Sequence, residues 1–135
     1  MPVLIDLEGH HTVGQQTHFT SHSPDGKYAV VFKDNAEVGY FFAMDPSVEG
    51  DKIQDGVQVY NVAGVADNEK LIHVHIGWSP DARKSVLLIN GVPQAVFDFD
   101  AKRGYCQTGF PEPMGEGDWG KHSHAWTEET AKLFM

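Results

Sequence analysis

Apolar and polar residues alternate with period two through most of this chain. β-Branched and aromatic residues dominate the alternating runs, and Gly, Pro, Asn and Asp bracket them, which is the pattern of half-buried strands. The alternation predicts strands over 3–7, 27–33, 37–45, 57–62, 71–78, 84–90, 94–100 and 105–108, seven or eight in all. Asn90-Gly91 lies between two of these runs and is the strongest hairpin signal, because a type I′ turn needs positive φ at both central positions. Pro93 follows at once, and having no N–H to donate it places its strand at an edge or at a bulge. Helical periodicity is confined to the C-terminus. There Trp126, Thr130 and Leu133 fall on one helical face, and Ser123 or Thr127 is placed to cap ahead of Glu128 and Glu129, predicting a short helix over about 124–134. The expected fold is mainly β (α+β): an antiparallel sheet or small sandwich or roll built from hairpins, with one C-terminal helix.

A repeat is audible at an offset of 56 residues. Ser23-Pro24-Asp25-Gly26 and Ser79-Pro80-Asp81-Ala82 each lead into a strand, a turn and a second strand. Turn chemistry explains most of the likeness, since Pro and Asp suit those positions in unrelated turns. From Gly104 to Lys121 the chain carries five glycines and two prolines among Tyr105, Cys106, Phe110 and Trp119. Irregular stretches of this length in a small domain are either functional or packed down by their own aromatics.

At 135 residues the chain is the length of one domain, 1–135, and large enough to bury a core without a metal or disulfide. Ten Lys and Arg against nineteen Asp and Glu give a formal charge of −9. That balance repels nucleic-acid phosphates and anionic membranes and attracts a basic protein partner. The single cysteine, Cys106, and the absence of any Asn-x-Ser/Thr site suit a reducing cytosol. Asp6 and Glu8 interrupt the N-terminal apolar run as a secretory leader would not, so a cytoplasmic protein is expected. No apolar run reaches the roughly 18 residues of a membrane helix.

Eight histidines are the feature most in need of explanation. Alternation in Leu71-Ile72-His73-Val74-His75-Ile76 sends His73 and His75 to one face of a strand, where two imidazoles can chelate zinc, iron or manganese if further ligands arrive. Asp98 and Asp100 share a face of their own strand and are the candidate carboxylates; His122 and His124 form a second pair. The bland alternative is a solvated sheet surface. His10, His11, His18 and His22 read as exposed residues of a polar N-terminal stretch. Near pH 6.5 about half the histidines would be charged, moving the balance toward roughly −5.

Three motif-like strings fail on physical grounds. Gly115-Glu116-Gly117-Asp118-Trp119-Gly120 has dinucleotide-binding spacing but sets two acids where a pyrophosphate would sit. Asp45 to Asp51 imitates the start of a calcium loop without its closing Glu or flanking helices. Cys106 has no histidine beside it in sequence to make a nucleophile, and reads as a small packed residue.

The phrases Ala95-Val96-Phe97-Asp98-Phe99 and Arg103-Gly104-Tyr105-Cys106, with Ile53 to Val62 and His75 to Asp81, give residues 37–111 a resemblance to a small bacterial family of uncharacterised proteins, domain of unknown function family two-two-five-one. The resemblance implies a bacterial single-domain protein and supplies no activity or catalytic residue. The reading first in order is a non-catalytic acidic binding module for a basic protein, immunity- or inhibitor-like, monomeric or homodimeric and needing no cofactor. Second is a metal-binding protein or metal-dependent enzyme with zinc, iron or manganese on His73, His75 and Asp98 or Asp100. A third uses Tyr105, Trp119 and Trp126 to stack on a carbohydrate or small ligand. Arg103, Tyr105 and Trp119 are the binding-loop candidates.

Overall fold

The computed structural model describes residues 4–48, 52–64, 71–109, 119, 123–127 and 130. Among these, nine strands follow in order: β1 (Leu4–Thr12), β2 (Thr17–His22), β3 (Ala29–Asp34), β4 (Val38–Met44), β5 (Ile53–Asn61), β6 (Leu71–Trp78), β7 (Lys84–Ile89), β8 (Val92–Asp98) and β9 (Arg103–Cys106). They form two antiparallel sheets, ordered β1-β6-β7-β8-β9 and β2-β3-β4-β5. The protein is mainly β, as the alternation predicts.

Strand periodicity builds the core directly. In β4 the alternation sends Phe41 and Ala43 inward and leaves Tyr40 and Phe42 half-buried on the outside. Phe32 and Phe41 from one sheet meet Ile76, Trp78, Leu87 and Phe97 from the other in one apolar cluster. Phe41 and Phe97 stack across the interior with centroids 5.0 Å apart. Each such side chain contributes roughly 1.5–3 kcal/mol by leaving water.

The sheets are also tied along both margins. Where β2 meets β1 and β6, Ser21 Oγ donates to Asp6 Oδ2 at 2.6 Å and accepts from the buried Trp78 Nε1 at 2.9 Å. Across the opposite margin, Thr108 Oγ1 donates to the Gln58 carbonyl of β5 at 2.7 Å. Outside β9 the Cys106 N–H donates to the His124 carbonyl at 3.0 Å. An edge covered in this way is not left as a template for a stray strand.

Several expectations need correction. The polar N-terminal stretch that holds His18 and His22 is not loop but strand β2, whose inward Ser21 is satisfied by Asp6 and Trp78. β1 runs through Thr12, so His10 and His11 are strand residues. Residues 123–127 are not helical, and the predicted helix over 124–134 is not borne out: His124 lies along β9, whose open N–H outweighs a local helical tendency. The remainder of that prediction, and most of the Gly/Pro-rich stretch after Gly109, fall outside the described residues. Asn90 and Gly91 do take φ of 52° and 79°, the I′ turn their sequence predicts. Pro93 sits at a bulge in β8, opposite the register shift between Leu87 and Leu88, and not on an edge.

The repeat has a structural counterpart. In both Ser-Pro-Asp turns the serine Oγ donates to the aspartate Oδ1, at 2.6 Å for Ser23 and 2.5 Å for Ser79. The same carboxylate oxygens accept the N–H of Lys27 and Arg83, and the serine oxygens accept the N–H of Tyr28 and Lys84. Gly26 and Ala82 occupy matching left-handed positions, φ 75° and 63°. One turn joins β2 to β3 and the other β6 to β7, each opening a four-strand meander.

Candidate functional site

Asp34 closes β3 and is the polar centre of the interior. Its side chain, with that of His11, is essentially sealed from solvent, and His11 Nε2 lies 2.8 Å from Asp34 Oδ2. The same oxygen accepts from the Tyr60 hydroxyl at 2.6 Å and the Gly14 N–H at 2.8 Å, while Oδ1 accepts the Ala36 N–H at 2.8 Å. Burial alone would raise the Asp34 pKa; the hydrogen bonds from Tyr60, His11, Gly14 and Ala36 outweigh it and hold the carboxyl below its ordinary value. Burial, with the neighbouring Asp34 carboxylate, pushes the Tyr60 hydroxyl far up. A bulge at Val59 turns Tyr60 inward with its ring against Gly39, where an added Cβ would come within 2.5 Å of the ring. Both oxygens of Asp34 have partners, so the set works as a clasp between β1, β3 and β5.

A second buried pair closes the far margin. His124 Nε2 lies 2.8 and 3.0 Å from the two oxygens of Asp55 on β5. Gly104 of β9 makes room, since a Cβ there would stand 2.8 Å from both Asp55 Oδ2 and the Phe97 ring. The neighbouring Cys106 is fully buried, and burial pushes its thiol pKa up, away from nucleophilic use.

His73 and His75 do share the outer face of β6, as the alternation requires, with Ile72, Val74 and Ile76 buried behind them. Their companions differ from those expected. Register sets His75 opposite Leu88 and Asp98 opposite Lys84, so Asp98 is two strands across and further along, roughly 16 Å away from the standard strand spacings. Asp98 Oδ1 instead accepts the N–H groups of Asp100 and Ala101, and Asp100 binds Arg83 at 2.5 Å. Neither aspartate joins the histidines. What meets them is β1: Glu8 stands opposite His75 and His10 opposite His73. Glu8 Oε1 is 3.5 Å from His75 Nε2, and His10 and His73 face each other through their Nε2 atoms. Sequence reading missed Glu8 and His10, although Leu7-Glu8-Gly9-His10-His11 already alternates about His11. Among the described residues no three His, Cys, Asp or Glu side chains converge as a finished metal site.

The loop candidates separate. Arg103 and Tyr105 share the outer side of β9, the guanidinium 4.7 Å above the ring. Trp119 packs against Phe97 and Phe99 at 6.1 and 5.6 Å, joining the apolar interior. Trp126 is half-buried, and His122 lies outside the described residues. On the outside of the other sheet Tyr40 and Phe42 stack at 5.3 Å, with Val31 opposite Phe42, Lys33 opposite Tyr40, and Phe42 lying over Gly56. Among the described residues no helix is long and apolar enough to cross a membrane.

Comparison with known proteins extends the region of likeness beyond 37–111. A family model described as an uncharacterised protein conserved in bacteria (DUF2251) matches residues 11–135. An uncharacterised protein of Haemophilus influenzae is 38% identical over 86 residues, covering 64% of this chain and 53% of the relative. The chain thus spans about half the length of that curated relative. No solved structure matches. With nearly its whole length inside the match, the chain belongs to this family of uncharacterised proteins conserved in bacteria.

Proposed function

We propose that this protein is a non-catalytic binding module whose partner is a basic protein, in the manner of an immunity or inhibitor protein. The observation that carries the reading is the Tyr40–Phe42 stack, presented half-buried on the outer face of β4 in a chain of net charge −9. Aromatics on a sheet face supply contact area at low entropic cost; the cross-strand neighbour of Tyr40 is Lys33, so the steering and selection of a basic partner rest on the net charge of the chain as a whole. Among the described residues the buried polar groups are already engaged with one another. Asp34, His11, Tyr60, Asp55 and His124 are committed to one another, and the Cys106 thiol is buried. A metal-dependent enzyme on His73, His75 and Asp98 or Asp100 is the weaker reading, because register holds the aspartates apart from the histidines. The buried thiol suits a cytoplasmic setting, and a monomer or homodimer serves either reading.

The test uses the intact chain as bait in a bacterial lysate, with chemical cross-linking and mass spectrometry, beside a Tyr40→Ser/Phe42→Ser variant. A basic partner captured at low salt, cross-linked near β4, lost at high salt and lost by the variant is the expected result. Capture indifferent to both salt and variant, or no partner at all, overturns the proposal.

A further inference from the structure

We propose that Glu8, His10, His73 and His75 form a surface site for one divalent cation of the imidazole-preferring class, zinc, nickel or copper. The reading is independent of the protein-binding function above and of the carboxylates Asp98 and Asp100.

The argument begins with register. β1 and β6 are antiparallel neighbours, and their pairing puts Glu8 across from His75 and His10 across from His73. Residues two apart on a strand project from the same face, so the four side chains occupy the corners of one small rectangle. The inward neighbours His11, Ile72, Val74 and Ile76 are buried, which leaves the quartet no choice of face. Directly opposed residues have Cβ atoms about 5 Å apart, a span two imidazoles bridge through one ion with metal–nitrogen bonds of about 2.0–2.1 Å.

Ring positions agree. The His10 and His73 rings meet edge to face with centroids 4.0 Å apart, and their Nε2 atoms point at each other. The His73 and His75 rings are 6.0 Å apart and perpendicular. Two neutral imidazoles with Nε2 against Nε2 satisfy one another only when one is the donor and the other the acceptor. A cation between them accepts both lone pairs at once. Asn90 steadies the platform, its side-chain oxygen accepting the His73 N–H at 2.9 Å, and the I′ turn that carries Asn90 pins the end of β7 beside β6. His75 and Glu8, within 3.5 Å of each other, stand ready as third and fourth ligands.

The four side chains do not yet converge, and the step required is small. Glu8, His10 and His73 are exposed and His75 is half-buried, so the ion draws His75 and Glu8 toward it by rotamer changes of the kind surface side chains make in nanoseconds. Three imidazoles and a carboxylate make a four-coordinate set suited to zinc; imidazole richness disfavours magnesium and calcium, which prefer all-oxygen shells.

Untagged protein, stripped with chelator and dialysed, is titrated with ZnCl2 by calorimetry, with His10→Ala, His73→Ala, His18→Ala and Asp98→Asn variants in parallel. One equivalent of zinc is expected, weakened at least ~10-fold by His10→Ala and by His73→Ala and unchanged by the other two. Circular dichroism confirms that each variant is folded, and His10→Gln provides a conservative second substitution. Two-dimensional NMR is expected to place the zinc-dependent changes on β1 and β6. Absence of zinc binding, or binding that survives both His10→Ala and His73→Ala, overturns the proposal. Binding lost in Asp98→Asn but retained in His10→Ala also overturns it. Because β4 plays no part, failure here leaves the protein-binding reading intact, and failure there leaves this one intact.

Discussion

His10 and His11 are adjacent in the chain and belong to different chemistry. His11 is 3% exposed and holds a buried carboxylate; His10 faces water across from His73. One residue of strand pleat separates them. On the inner side the imidazole is surrounded by Asp34, Phe19 and Phe32, so its hydrogen bond operates in a low dielectric and losing it leaves an unmet buried charge. On the outer side the same ring is solvated, contributes little to stability, and is available to a ligand. The comparison teaches that histidine count alone does not identify a site; the face on which each falls does.

Substitutions break this contrast most sharply at Asp34. Asp34→Asn replaces an acceptor for four donors by an amide, and equilibrium unfolding in urea should show a loss of about 3–5 kcal/mol. The pH dependence sharpens the same point. The folded-state pKa of Asp34 is depressed, so its contribution is fully present above the unfolded value of about 3.9 and is lost as pH falls through the lower folded value. Thermal unfolding between pH 5 and pH 2 should therefore lose part of its acid limb in Asp34→Asn. Gly104→Ala probes the other buried pair, where the new methyl meets both the Asp55 carboxylate and the Phe97 ring; a loss of about 1–3 kcal/mol is expected in the same assay. Tyr60→Phe keeps the ring over Gly39 and removes one of the donors to Asp34, for about 1.5 kcal/mol. On the outer face His10→Ala should change stability by less than about 0.5 kcal/mol, the ordinary surface value. Should His10→Ala cost as much as Tyr60→Phe, the division between the two faces fails.

The Ser-Pro-Asp turns show how local legibility works. Their hydrogen bonds run between residues no more than five apart, so sequence alone suffices to place them, and the two copies agree bond for bond. The I′ turn at Asn90-Gly91 is legible for the same reason. β2 was not legible, because its place is secured by Ser21 reaching Asp6 and Trp78, the latter 57 positions away. The helix expected at 124–134 is not borne out at its start, in the opposite sense: among the described residues 123–127 are not helical, and the N–H of Cys106 claims the His124 carbonyl.

The candidate site divides along the same line. That His73 and His75 share a solvent-facing side of one strand was determined by the alternation about Val74, a property of a few consecutive residues. Which carboxylate and which third histidine stand beside them was decided by tertiary structure. The pairing of β1 with β6 joins residues 59 to 74 positions apart and is selected by how Leu7, His11, Ile72 and Ile76 fill the interior together. Likewise the family and the mainly β character were in the sequence, because strand periodicity and turn chemistry are local. The burial of Asp34 with His11 and Tyr60 came only with the packing of two sheets, since charge in an apolar interior is tolerated only where distant donors are brought to it.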